Sequence, residues 1–163
     1  MRRRFLAGIA GVAMLAAITV APVAASGQSQ AAPARAVHIE VQTSGFSGGL
    51  SGGPFTATGP AVDAGLICPA GDTIDAAGAS ASGYQSGRAV NLTVVKHFTC
   101  PDGDFWIKLQ VRLDARGDHF TWGIVDGTGV YAQLHGAGTG YGDYEAYPGG
   151  VLDVYDGVIS AGG

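Results

Sequence analysis

The stretch DFWIKLQVRLD, residues 104–114, alternates without a break: Phe105, Ile107, Leu109, Val111 and Leu113 fall on one side, Trp106, Lys108, Gln110 and Arg112 on the other. A period of two is the signature of a β-strand with one buried and one wet face. Just upstream, Asn91 to Cys100 is rich in Val and Thr, and Pro101-Asp102-Gly103 supplies the turn that makes the two segments a hairpin. Downstream, Arg116-Gly117-Asp118 turns the chain into His119 to Val125, where Phe120, Trp122 and Ile124 share a face. Asp126-Gly127-Thr128-Gly129 turns it again, into Val130 to Gly136. Four consecutive strands joined by short links form a meander.

Working outward, Val151 to Ser160 offers another strand, with Asp156-Gly157 as a bulge or turn inside it. Val37 to Thr43 alternates Val and Ile with His and Glu. Phe55 to Thr58, Val62 to Ile67 and Asp72 to Ala76 are shorter candidates, and the Gly/Ser-rich Gly45 to Gly53 reads as a loop. The count is about eight strands with no convincing helical periodicity, so the fold class is all-β. Closing eight antiparallel strands into an up-and-down β-barrel removes exposed edges and leaves an interior wide enough for one small ligand. A β-sandwich is the alternative.

The 163-residue chain has 28 glycines and a formal net charge of −4, with only 9 lysines and arginines, which leaves no basic patch for nucleic acid. It opens MRRRFLAGIAGVAMLAAITVAPVAASG: three arginines, an apolar run from Phe5 to Val20, and small residues through Ala25. That order reads as a signal peptide over residues 1–25, followed by a disordered Gln/Ala/Ser/Pro lead-in over 26–36 and one domain over 37–163. Gly8, Gly11 and Thr19 interrupt the apolar run, so it is too short to stay as a membrane span. Arg2, Arg3, Phe5 and Leu6 fit part of a twin-arginine signal, but the flanking residues favour the general export route. Either route makes the protein secreted or extracytoplasmic. In that setting the two cysteines, Cys68 and Cys100, are expected to form one structural disulfide rather than a metal or redox pair.

Residues 127–138, GTGVYAQLHGAG, place Gly127 and Gly129 in a tight turn, and Gly136 and Gly138 where a strand bends or packs closely. No helix or lysine follows as a phosphate loop requires. With its flanks the segment reads FTC…FWIKLQVRL…FTWGIVDGTGVYAQLHGAG, and residues 90–140 resemble small secreted bacterial proteins and, more distantly, the allene oxide cyclase and dirigent superfamily. The specific part is Gly127-Thr128-Gly129, Tyr131, Gly136 and Gly138. The resemblance implies an eight-stranded barrel, often a trimer, whose apolar cavity holds or cyclises a hydrophobic substrate; it carries over no catalytic residue, and the glycine motif is structural.

No metal, cofactor or catalytic set is expected. His38, His97, His119 and His135 are isolated and read as surface or rim residues, there is no G-x-S-x-G elbow, and Asp102-Gly103-Asp104 fits a hairpin turn better than a calcium loop. Lys96 shares a side with Val94 and Phe98. If that side faces a cavity it contacts an anionic or carbonyl ligand, but a twist or bulge carrying it to solvent is the preferred reading. Trp106, on the polar face of its strand, is a candidate for ligand stacking or an interface; Trp122 is core. The loop Gly138 to Gly150 carries Tyr141, Tyr144 and Tyr147 as contacts for a sugar, a peptide or a partner, or as a lid over the barrel mouth. The leading expectation is a secreted, non-catalytic barrel that binds a small apolar ligand or a partner surface. The alternatives are a barrel cyclase or isomerase acting on a hydrophobic substrate, which requires ionisable side chains pointing inward, and a structural cell-surface oligomer.

Overall fold

The computed structural model describes residues 33–44, 51–76, 80–82, 90–114 and 117–162. The expected signal peptide and most of the lead-in lie outside these residues, as does 45–50 of the Gly/Ser loop. The strands are β1 (Arg35–Thr43), β2 (Gly52–Thr58), β3 (Ala70–Asp75), β4 (Ser80–Ser82), β5 (Val90–Cys100), β6 (Gly103–Asp114), β7 (Gly117–Gly127), β8 (Leu134–Asp143) and β9 (Val151–Ala161). Thus β1 begins two residues earlier than expected and β2 takes in Gly52 and Gly53.

Every pairing is antiparallel. β1 lies between β2 and β9, the meander continues β9-β8-β7-β6-β5, and β3 pairs with β5 to close an eight-stranded barrel; the short β4 adds to the remaining length of β5. The hairpin read first in the sequence is complete, from Val90 opposite Leu113 to Cys100 opposite Gly103. Phe105, Ile107, Leu109 and Val111 are buried inside while Lys108, Gln110 and Arg112 face out. The alternation in residues 104–114 is therefore the alternation of barrel interior and solvent.

Three sequence readings are corrected. Val62 to Ile67 is not a strand, because Pro60 starts a single helical turn, α1 (Pro60–Asp63). Ala61 and Ile67 from this segment are buried under one end of the barrel. Val130 to Gly136 is not continuous strand either. Gly129, at φ +56°, starts a 3₁₀ turn, and the strand begins only at Leu134. The turn swings Tyr131 inward, where it is buried and meets Phe105 edge to face at 5.6 Å between ring centres. Finally, Asp156 and Gly157 neither bulge nor turn, and pair in register with His38 and Val37 on one side and Thr139 and Gly138 on the other.

The end of the barrel reached by the β5–β6 turn is filled and sealed. Phe55, Phe98, Phe105 and Tyr155 are fully buried, with Phe98 stacked on Phe105 at 4.8 Å, and each such ring contributes about 2–3 kcal/mol by leaving water. The Cys68–Cys100 disulfide fastens the α1–β3 connection to the end of β5 at the same place. Thr128 belongs to this seal: its amide donates to the Asp104 carbonyl at 2.8 Å and its Oγ1 accepts from the Asp104 amide at 3.0 Å.

The rings fit because β8, after the buried Leu134, shows the interior only glycine from Gly136 to Gly142. Gly138 stands opposite Trp122 and Gly140 opposite Phe120. A Cβ on Gly140 would lie 2.2 Å from Phe120 Cε2. Trp122 lies against the bare backbone, and its Nε1 donates to the carbonyls of Thr139 at 3.1 Å and Asp156 at 3.3 Å. Close approach is the role the sequence reading offered for Gly136 and Gly138.

Candidate functional site

Towards the other end the inward side chains shorten. Leu92 and Val94 on β5, Leu109, Val111 and Leu113 on β6, and Val151 on β9 are aliphatic. They face Thr43, Ser51, Asp75, Asp118 and Asp153, which are too small to meet them across the barrel. What remains is a cavity of about 380 Å³, with Phe120 in its wall and Tyr144 at its mouth. Its lining combines aliphatic side chains, most of them from β5 and β6, with ionisable ones from β3, β5, β7 and β9, the composition of a small-molecule site.

The ionisable wall is built by strand alternation placing charged residues on inward positions. Lys96, on the same face of β5 as Val94 and Phe98, is 4% exposed. Its Nζ donates to Asp75 Oδ1 at 2.9 Å, lies 3.5 Å from Thr43 Oγ1 and is 3.8 Å from Asp153 Oδ2. Asp75 also accepts from Ser51 Oγ in a short hydrogen bond, and Asp153 accepts from Thr43 Oγ1 at 2.5 Å. Burial pushes the Asp153 carboxyl above the usual carboxylate range, against the pull of Lys96. The preferred expectation that Lys96 escapes to solvent is thereby corrected: three polar partners inside the barrel hold it there.

Asp118, at the start of β7 and on the face of Phe120, is the least satisfied of the three carboxylates. Tyr144 reaches its Oδ2 only at 3.5 Å, while Oδ1 is buried with no hydrogen-bond partner among the described residues. Burial first, and the charge of Asp153 second, push its carboxyl up to about 6. A carboxyl that exchanges its proton near neutrality is chemically able to act as an acid or a base. Next to the cluster, the fully buried Tyr155 hydroxyl also lacks a partner among the described residues. Burial, followed by the charges of Asp153, Asp75 and Asp118, holds its ionisation well above the ordinary range.

Of the tyrosines proposed as contacts, Tyr144 lines the cavity. Tyr141 does not: β8 extends through Asp143, so the residue sits on the outer wall opposite His119, exposed. Tyr147 packs half-buried against Gly150 in the β8–β9 connection. Trp106 also faces out, its ring parallel to that of His97 at 4.5 Å. The histidines all stand on the outside, as read. His38 donates to or accepts from Asp156 Oδ1 at 2.8 Å, which raises its pKa, and His97 Nε2 lies 3.1 Å from Asp104 Oδ2. No group of three or more His, Cys, Asp or Glu side chains among the described residues is placed to hold a metal ion.

The chain matches no protein-family model, no curated protein and no solved structure. The site therefore has to be understood from its own residues. Sequence reading missed Asp75, Asp118 and Asp153, although the signal was present. Each occupies the inward phase of its strand, beside Thr73, Phe120 and Tyr155 respectively, as Lys96 does beside Phe98.

Proposed function

We propose that this protein is an exported binding barrel that holds a small, largely apolar molecule in the open half of its interior. The observation that carries this reading is the division of the barrel: aromatic rings pack one half solid, while the other keeps a cavity of about 380 Å³ with an aliphatic wall. A barrel needed only as a scaffold gains stability by filling such a space, because each missing methylene forfeits about 1 kcal/mol. The resemblance to barrels that hold hydrophobic substrates points the same way, and the disulfide suits an oxidising compartment.

A second reading, acid–base catalysis on the same ligand, is favoured by one observation. Asp118 exchanges its proton near neutrality inside an apolar cavity, with a buried lysine in the same wall. It makes the protein an isomerase or cyclase and needs the same binding step first.

Native mass spectrometry of the protein purified from its host tests the binding reading. The expected result is a discrete added mass that disappears on denaturation. It should be absent from a Val111→Trp variant, whose indole fills the cavity. Bare protein mass from the host, with no uptake of a fluorescent apolar probe that V111W blocks, overturns it. The same spectrum reads whether the species is a monomer or a trimer.

A further inference from the structure

Resting on the reading of the open half as a ligand site, we propose that its ligand is a small organic cation: an amine whose apolar body lies on Leu92, Val94, Leu109 and Val111 and whose ammonium docks on Asp118. Hydrogen-bond capacity selects this class. The described residues give the cavity one cation, Lys96, and three carboxylates, Asp75, Asp118 and Asp153. Lys96 has three N–H groups, and Asp75, Thr43 and Asp153 surround its Nζ at 2.9, 3.5 and 3.8 Å. Its charge is therefore already balanced by two carboxylates, Asp75 and Asp153, which makes it a poor anchor for an anionic ligand, the role the sequence reading gave it if its side faced a cavity. Asp75 is occupied by Lys96 and Ser51, and Asp153 by Thr43 and Lys96.

The unused acceptor capacity is on Asp118, whose Oδ1 is buried without a partner among the described residues. A second unpartnered polar group belongs to the ring packed against Phe120 of the cavity wall. Tyr155 is 0% exposed, and its hydroxyl stands unpartnered among those residues, close enough to feel all three carboxylates. A carboxylate oxygen buried without a partner is costly, and either a proton or a cation relieves it. An ammonium group supplies both the charge and the donors, while the adjoining aliphatic side chains of β6 and β5 take a hydrocarbon body. An anionic ligand would face a wall with a surplus of negative charge.

The charged and titratable groups facing Asp118 are Lys96 from β5, Asp75 from β3, Asp153 from β9, Tyr144 from the β8–β9 connection and its own neighbour His119. Burial raises the Asp118 carboxyl to about 6, so protons compete with the amine there.

The experiment is calorimetric titration of the whole protein at pH 7.5 with primary alkylamines from butylamine to octylamine, and with the alcohols and carboxylates of matching length. The expected ranking is amine, then alcohol, then carboxylate. The amine should be favoured about tenfold over the alcohol, as suits a hydrogen bond to a charged group, and binding should tighten roughly fourfold per methylene. Asp118→Asn is expected to remove the preference, so that amine and alcohol of one length bind with equal affinity. Should that variant not fold, the unaltered protein decides: the preference for amine must shrink between pH 7.5 and pH 5. Alcohol or carboxylate binding as tightly as amine, or an amine preference indifferent to both D118N and pH, overturns the cation proposal and leaves apolar binding standing. Failure of all three series to bind defeats the binding reading itself.

Discussion

The Nζ atom of Lys96 lies 2.9 Å from Asp75 Oδ1 inside the barrel, the only inward-facing lysine among the described residues and 4% exposed. A buried ion pair of this kind adds little net stability over an apolar pair, yet removing one partner strands the other. Lys96→Met is expected to cost about 3–5 kcal/mol at pH 7.5, because Asp75 and Asp153 lose their cation. The loss should be smaller at pH 4.5, because burial raises the Asp153 carboxyl and favours its protonated form, and the double variant with Asp75→Asn should recover part of it. Urea denaturation at the two pH values checks this. A cost below about 1 kcal/mol at pH 7.5 would mean the cluster is well solvated.

Asp118 gives stability a definite pH dependence. Its carboxyl is raised from 3.8 to about 6 by burial and by Asp153, so the folded state holds the proton more tightly than the unfolded chain. Its contribution is complete below about 3.8 and is lost as pH rises through about 6. Because the group is partly wet, the gain on acidification from pH 7.5 to 4.5 is about 1 kcal/mol rather than the roughly 3 of a fully buried carboxyl. Thermal unfolding across that range, with and without Asp118→Asn, isolates this contribution. His38 and Asp153 shift in the same direction, so the prediction is a reduced slope in D118N, and an unchanged slope refutes it.

The disulfide closes a sequence separation of 32 residues. Constraining an unfolded loop of that length stabilises the folded state by about 3–4 kcal/mol. Replacing Cys68 and Cys100 together with serine should lower the unfolding midpoint accordingly while leaving the far-ultraviolet β signature at low temperature.

Gly140 tests the glycine face of β8. Gly140→Ala places a carbon 2.2 Å from Phe120 Cε2 and 2.3 Å from the Val154 carbonyl oxygen, and such overpacking costs about 1–3 kcal/mol. Adding Phe120→Leu removes the first clash and not the second, so stability should return only in part. Complete recovery would mean the backbone of β9 moves freely, contrary to its continuous pairing with β8.

The barrel was readable because its longest strands carry an unbroken period of two, from Phe105 through Leu113 and from Phe120 through Ile124. The hairpin at Pro101-Asp102-Gly103 sits within one residue of its expected place. Reading failed where a tertiary demand overrode local pattern. Val62 and Ile67 are apolar because they seal the barrel end, and Val130 lies outside a strand because Tyr131 must turn inward from a left-handed Gly129. The site was legible only in pieces. Lys96 was noticed as a charge on an apolar face, but Asp118 was read only as part of a turn, and Asp75 and Asp153 were not singled out within their strands.

By itself the sequence determined the fold class, the cysteine pair and which face of each long strand turns inward, since these follow from side-chain period and residue chemistry within a few neighbours. Only the tertiary structure decided that Lys96, Asp75, Asp118 and Asp153 share one cavity. They come from strands β5, β3, β7 and β9, and their proximity depends on barrel closure through β3–β5 and β1–β9. No spacing along the chain encodes that closure. It also decided which half stays open, because that depends on rings from six elements meeting over the glycine face of β8.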